Sequence, residues 1–158
     1  MTTATLIAPD RSATWELDRG RCAVEVSLAL PGATIWRARL RPVTARLTGD
    51  DPLTLTATLS PRPTMMSLPL TRPLFLRHTA RIAQLQFSAE SEPAHAGRLV
   101  GTVTLDARTW PVQLVLRRTP VGDGRLLVTV AGRVVRPLST FPGTVFDIEA
   151  VAEFVRCA

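Results

Sequence analysis

The stretch from Arg98 to Arg118, RLVGTVTLDARTWPVQLVLRR, decides the fold of this chain. Apolar residues alternate with other residues in two runs, 99–105 and 110–116, and the polar stretch Asp106–Thr109 separates them. Period-two alternation on both sides of a short polar turn predicts a half-buried antiparallel hairpin. Trp110 begins the inward-facing set of the second run, so we expect its side chain to be largely buried.

The same alternation recurs in nearly every other segment. Arg19-Gly20 is expected to be a turn, and the change of phase at Pro42 predicts a bulge or an edge. Regularly spaced alternating strands with short loops are typical of an antiparallel barrel or sandwich. We predict an all-β fold of eight or nine strands, in which the hairpin is joined by strands at Ala13–Asp18, Cys22–Leu30, Thr34–Leu47, Leu53–Leu59, Ile82–Ala89, Arg125–Val135 and Phe146–Phe154.

Residues 61–80 interrupt this pattern. Four prolines, at positions 61, 63, 69 and 73, argue against a long helix or a central strand here. The segment Thr71–Arg77 is compatible with one or two helical turns. Because the segment is very apolar for a loop, we expect it to cover one opening of a barrel. The side chains expected to pack inward are Met66, Leu70, Phe75 and Leu76.

The bulk composition suits a single β-barrel domain over residues 1–158. Hydrophobic residues make up 46% and charged residues 20% of the chain, which excludes a disordered polymer. No apolar run approaches the roughly 20 residues of a spanning helix. The N-terminal segment has no basic region and no long apolar region, so we expect a cytoplasmic protein.

The charge is basic, with a formal net value of +6, and every basic residue is an arginine. We attribute the absence of lysine to a GC-rich, bacterial genome. Arg37, Arg39 and Arg41 alternate along one predicted strand. They form either a stripe that binds phosphate or the solvated face of a strand, and the sequence leaves both interpretations open.

Residues that carry chemistry are few. Cys22 and Cys157 are either reduced thiols or, if the first and last strands are neighbours, a disulfide pair. His78 and His95 stand alone, so no metal site is predicted. No nucleophile, dinucleotide or phosphate-loop motif is present. The acids at 50–51, 90 and 92 lie in predicted turns and loops. We therefore predict a protein that is not an enzyme, has no cofactor and binds no nucleic acid.

Six segments, taken in order, resemble the YceI-like family of lipocalin-like polyisoprenoid-binding barrels. The likeness runs from Trp15 to Arg156 and depends on the order of the segments rather than on any one of them. The segments are Trp15–Asp18 with Cys22–Val26, Leu70–Leu76, Ile82–Ser88, Gly101–Leu105 with Trp110–Leu116, Gly132–Arg136 and Val145–Glu149. The resemblance implies a lipocalin-like barrel of about eight strands that binds a long apolar ligand such as a polyisoprenoid.

The leading hypothesis is therefore non-enzymatic binding of a polyisoprenoid, an isoprenoid quinone or a fatty acyl chain inside the barrel. Burial of apolar surface would supply most of the affinity, and an arginine at the mouth would meet a polar headgroup. The candidate binding residues are Val24, Val26, Leu28, Leu55, Met66, Leu70, Phe75, Phe87, Val103, Leu114, Val128, Ile148 and Phe154.

Two other interpretations stay open at this point. The same inward side chains are compatible with a closed core that holds no ligand. A barrel of that kind would serve as a scaffold or bind a partner, using an edge strand near Pro42 or the apolar segment 61–80. Association into a homodimer also stays open.

Overall fold

The computed structural model describes residues 13–30, 33–67, 84–95, 97–105, 107–135 and 145–158. Leu70, Phe75, Leu76 and the helical turn expected at Thr71–Arg77 lie outside these residues, and so does the side chain of Leu28. The strands are β1 (Thr14–Leu30), β2 (Ala33–Thr48), β3 (Thr54–Met66), β4 (Leu85–Ser91), β5 (Arg98–Leu105), β6 (Arg108–Gly122), β7 (Arg125–Val135) and β8 (Val145–Arg156).

These strands form a closed antiparallel barrel in the order β1-β2-β3-β4-β5-β6-β7-β8, with β8 paired to β1. The predicted all-β barrel of about eight strands is confirmed, and no helix occurs among the described residues. The edge strand considered near Pro42 is wrong, because Pro42 pairs with Leu59 inside the barrel wall. The bulge predicted at the same position is confirmed by register shifts on both sides of Pro42.

The turn predicted at Arg19-Gly20 is wrong, since β1 continues through both residues. The chain forms a bulge there instead, and the register with β8 shifts between Leu17 and Cys22. A bulge adds residues to one strand without ending it, so a local turn signal and a strand are compatible. The guanidinium of Arg125 lies 3.4 Å from Asp18 and 3.0 Å from Glu153, and so links the bulge to β7 and β8.

The expectation that prolines would end β3 is also wrong. The strand continues to Met66, and Pro61 and Pro63 are both buried. Within the described residues, β4 pairs with β3 only as far as Leu59, and beyond it β3 pairs with β2 alone. A strand with one neighbour uses backbone N–H groups for hydrogen bonds on one side only, so proline is tolerated. Met65 therefore lies in a strand and points outward, with 63% of its surface exposed.

The central hairpin is tighter and longer than predicted. Leu105 pairs with Arg108, so the turn contains two residues instead of four. Strand β6 then continues beyond Arg118, the end of the predicted hairpin, as far as Gly122. Its inward residues Val112, Leu114 and Leu116 are buried, as predicted, whereas Trp110 packs against the core but is only partly buried.

The main core occupies the part of the barrel between the β2–β3, β4–β5 and β6–β7 turns and the middle of the barrel. Its largest fully buried side chains are Leu47, Leu99, Val112 and Val128. A second buried cluster, made of Val24, Leu40 and Leu59, lies nearer the opposite end. The inward positions predicted on β4, β7 and β8 are confirmed, because Val128, Ile148 and Phe154 belong to the core and Phe87 packs against it.

Candidate functional site

The two ends of the barrel differ in how deeply their inward side chains are buried. We call the end with the β2–β3, β4–β5 and β6–β7 turns the packed end, because Leu53, Leu55, Leu126 and Phe154 lie there with at most 7% of their surface exposed. Trp15 and Leu17 pack against the core at this end and are partly buried. We call the other end, where β1 leads into β2 and β5 into β6, the accessible end. Inward apolar side chains there are only partly buried, namely Val26, Leu85, Phe87, Leu105, Trp110 and Phe146.

Strand register explains why these side chains meet. Phe87, Val103 and Trp110 are opposite one another on β4, β5 and β6, so they form one row across the inner wall. On the other side of the barrel, Val26 is paired with Ile148. Aromatic rings and branched chains in adjacent rows of an inner wall make a surface that can pack against an apolar chain.

The candidate binding residues divide into two groups. Leu55, Leu114, Val128 and Phe154 belong to the densely packed core, where each is no more than 6% exposed. Val103 and Ile148 are also buried, but their cross-strand partners Phe87 and Val26 lie at the accessible end. Val24 is buried in the second cluster. Val26, Phe87 and Met66 are partly buried and lie at or beside that end. The side chains of Leu28, Leu70 and Phe75 lie outside the part of the chain that the structure describes.

A groove that the sequence reasoning missed lies on the outer face of β2 to β5. It has a volume of about 620 Å³. Its floor is made of two rows of polar residues, which register places as Thr44-Thr58-Gln86-Thr104 and Arg46-Thr56-Ser88-Thr102. The alternating Thr54-Leu-Thr-Ala-Thr58 pattern was the available signal, but only the strand order brings four such polar faces together.

The groove is only partly polar, because Leu17, Ala45, Ala57 and Phe87 also line it. One ion pair lies at its margin. Arg46 Nη2 lies 2.5 Å from Glu16 Oε1 of the neighbouring strand, and both side chains are more than half exposed. Thr104 and Thr109 share a hydrogen bond of 3.1 Å beside it. Hydroxyl and amide groups of this kind donate and accept hydrogen bonds without bringing a strong field, so they suit a polar, uncharged contact.

The alternating arginines of β2 are confirmed as an outward-facing set. Arg37, Arg39 and Arg41 are all exposed, whereas Ala38 and Leu40 between them are buried. Arg37 lies 3.7 Å from Glu25 of β1, a long pair on the protein surface. The side chains of Arg39 and Arg41 make no ion pair within the described part of the chain.

The two cysteines are free thiols, each partly buried. Strands β1 and β8 are neighbours, but Cys22 lies opposite Ala152, whereas Cys157 follows the end of β8 and donates its backbone N–H to Thr14. Burial, and secondarily the charge of Asp18, raise the pKa of the Cys22 thiol. A thiol held in its protonated form is a poor nucleophile.

No cluster of metal-ligating side chains occurs among the described residues. A helix long and apolar enough to cross a membrane is likewise missing from the part of the chain that the structure describes.

Comparisons with known proteins add little to this geometry. No family model and no curated protein matches the sequence. Among solved structures, the chain is similar to the ywiB protein from Bacillus subtilis, with 5% sequence identity over 94% of this chain and 95% of that chain. The TM-score is 0.36, which is too low to carry an argument. The barrel assignment therefore depends on the strand pairing itself.

Proposed function

We propose that this barrel binds a long apolar ligand at its accessible end, without catalysis. The observation that carries the proposal is the set of inward apolar side chains that remain partly buried there, above a densely packed core. Val26 and Phe87 are apolar inner-wall residues that keep part of their surface exposed there, and an apolar ligand would cover that surface. The resemblance to the YceI-like family agrees with a polyisoprenoid, an isoprenoid quinone or a fatty acyl chain as the ligand.

The affinity would come mainly from burial of apolar surface. Each buried methylene contributes about 0.8 kcal/mol, and part of that gain is offset by the lost freedom of the ligand. The packed end sets the depth of such a site, because Leu55, Leu114 and Val128 already fill the barrel below it. The ligand would thus enter only part of the barrel, with its polar end toward the accessible end.

The first test is extraction of the purified protein with organic solvent, followed by mass spectrometry. We expect an apolar molecule to be recovered chemically unchanged, since the proposal includes no reaction. A protein that releases no such molecule and binds no fluorescent fatty acid would contradict the proposal.

A matched pair of substitutions locates the site. Val26→Trp places a large ring on the inner wall at the accessible end, and we expect it to weaken binding of a fluorescent fatty acid at least tenfold by occupying the ligand volume. Val151→Trp is the control, because Val151 lies on adjacent β8 with 50% of its surface exposed. Equal affinities of the two variants, with β-sheet circular dichroism intact, would place the ligand elsewhere.

The second candidate function is a partner-binding barrel without an internal ligand. The groove on the outer face of β2 to β5 favours it, since most of the residues that line this space of about 620 Å³ belong to the outer face. The chemistry of the groove suits a polar segment of a protein or a second copy of this chain. Gln86→Arg would then abolish association measured by size-exclusion chromatography with light scattering, whereas Val26→Trp would not.

A further inference from the structure

We propose that the outer face of β2 and β3 docks the barrel onto an anionic membrane surface. The patch consists of Arg37, Arg39, Arg41, Arg62 and Met65, and we call it the arginine face. All five side chains are exposed, and Met65 has 63% of its surface in solvent. The membrane would supply the apolar ligand, and in this respect the inference rests on the proposed function.

Strand register brings the arginine face together. Arg39 is paired with Met65 across β2 and β3, and Arg41 is paired with Ser60. Arg62 falls in the irregular stretch between these pairs, on the exposed side of a strand whose Pro61 and Pro63 are buried. Guanidinium groups from two strands thus surround one exposed apolar side chain.

The charge on this face is only partly compensated. Glu25 is the cross-strand partner of Arg39 and lies 3.7 Å from Arg37, and Glu149 lies opposite Glu25 on β8. The side chains of Arg39, Arg41 and Arg62 make no ion pair within the described ranges. A cluster with a net positive charge attracts the phosphates of anionic lipids.

The position of the patch along the barrel favours a membrane over a soluble anion. Arg37 lies at the level of Ser67, where two hydrogen bonds join the end of β3 to β2. The arginine face therefore flanks the accessible end. Many of the acidic side chains lie instead toward the packed end, where Asp50, Asp51 and Asp123 occupy turns. This asymmetry would orient the barrel with its accessible end near the lipid.

Met65 supplies the apolar part of the contact. A methionine is flexible and adapts to an irregular surface, and an exposed one surrounded by arginines is suited to the boundary between headgroups and acyl chains. The arginines would provide the salt-dependent attraction, whereas Met65 would provide a contribution that salt does not screen.

The experiment is sedimentation of the full chain with phosphatidylcholine vesicles that contain or lack phosphatidylglycerol. We expect binding only to the anionic vesicles, and release as the salt concentration rises to about 0.15 M and above, where the screening length is about 8 Å. Arg39→Gln with Arg41→Gln should weaken binding about 25-fold, at about fivefold for each arginine. Met65→Ser should weaken it up to about tenfold without changing its salt dependence.

The matched control is Arg19→Gln with Arg117→Gln. Both arginines are exposed, neither makes an ion pair within the described residues, and the double change removes the same net charge away from the arginine face. The proposal is overturned if the control weakens binding as much as the test variant, or if no binding to anionic vesicles occurs at low salt. It is also overturned if a DNA oligonucleotide binds the arginine face more tightly than the vesicles do.

The outcome is separable from that of the ligand proposal. The vesicle experiment is repeated with Val26→Trp, which alters the interior but leaves the outer face unchanged. Docking by this variant at the affinity of the unmutated protein supports the arginine face whether or not the barrel binds a fatty acid. Loss of docking in Val26→Trp alone would assign the membrane contact to the interior opening and overturn the proposal.

Discussion

At the scale of single residues, the Cys22 thiol owes its ionisation behaviour to the bulge in β1. The thiol donates a hydrogen bond of 3.3 Å to the carbonyl oxygen of Arg19, within the bulge. Burial and the nearby Asp18 carboxylate both disfavour the thiolate, so they raise the pKa of Cys22. The folded-state pKa is thus higher than the unfolded one. This difference in pKa favours the folded state fully at pH values below the unfolded pKa of about 8.5. The stabilisation is lost as the pH rises through the folded pKa.

We therefore expect Cys22 to react slowly with iodoacetamide near pH 8, more slowly than an unfolded peptide of the same sequence. Asp18→Asn should accelerate the reaction by removing one of the two causes of the raised pKa. The measurement is the alkylation rate at Cys22 by mass spectrometry as a function of pH. Asp51→Asn, at a distant turn, serves as the control. A Cys22 that reacts at the rate of the peptide would show that its thiolate is not disfavoured.

At the scale of elements, two strand glycines allow close contact between neighbouring strands. A Cβ atom on Gly101 of β5 would overlap the carbonyl oxygen of Ser88 and the Cα of Ala89 on β4. A Cβ on Gly132 of β7 would overlap the Leu114 side chain and lie 2.5 Å from the carbonyl oxygen of Gln113. Glycine inside a strand marks such close approach or bending in a barrel. The two positions explain why alternation includes glycine on the inward face.

Gly101→Ala should lower the free energy of unfolding by about 1–3 kcal/mol, because the neighbouring backbone has no room to move away. The loss is measured by urea titration. Gly20→Ala, in the β1 bulge, is the matched control, since its Cβ would lie 3.5 Å from the nearest atom, Asp18 Oδ1. We expect the control to change stability by less than about 1 kcal/mol. A Gly101→Ala protein as stable as the unmutated one would mean that β4 and β5 separate easily.

At the scale of the whole molecule, β8 closes the barrel by joining the first strand to the seventh. Phe154 is 2% exposed and pairs with Leu17 of β1 on one side and Leu126 of β7 on the other. Barrel closure removes the exposed edges that a sheet would otherwise present. The stability of the barrel thus depends on contacts between the two ends of the chain.

Phe154→Ala should lower the free energy of unfolding by about 3–5 kcal/mol, because it leaves a cavity at this closure. Val155→Ala, on the same strand but with 38% of its surface exposed, should cost far less. Urea titration followed by tryptophan fluorescence measures both. Similar losses in the two variants would mean that Phe154 is not a closure contact.

Much of the fold follows from period-two alternation alone. The inward positions of β4, β7 and β8 were predicted correctly, because each strand alternates without interruption. In such a strand, the position of a residue determines which face its side chain lies on. The errors occurred where a local signal conflicts with a long-range partner. Arg19-Gly20 and Pro61 to Pro63 look like strand breaks, but pairing of the flanking residues with β8 and β2 keeps both segments in strands.

The sequence by itself determined the fold class and the faces of the strands, because both depend on neighbouring residues and a repeat of two. Only the tertiary structure decided which inward side chains are packed and which are partly accessible, since burial depends on position along the barrel axis. It also decided that Arg62 and Met65 adjoin the arginines of β2, and that four polar faces make one groove. These arrangements depend on register between strands, which no single segment encodes.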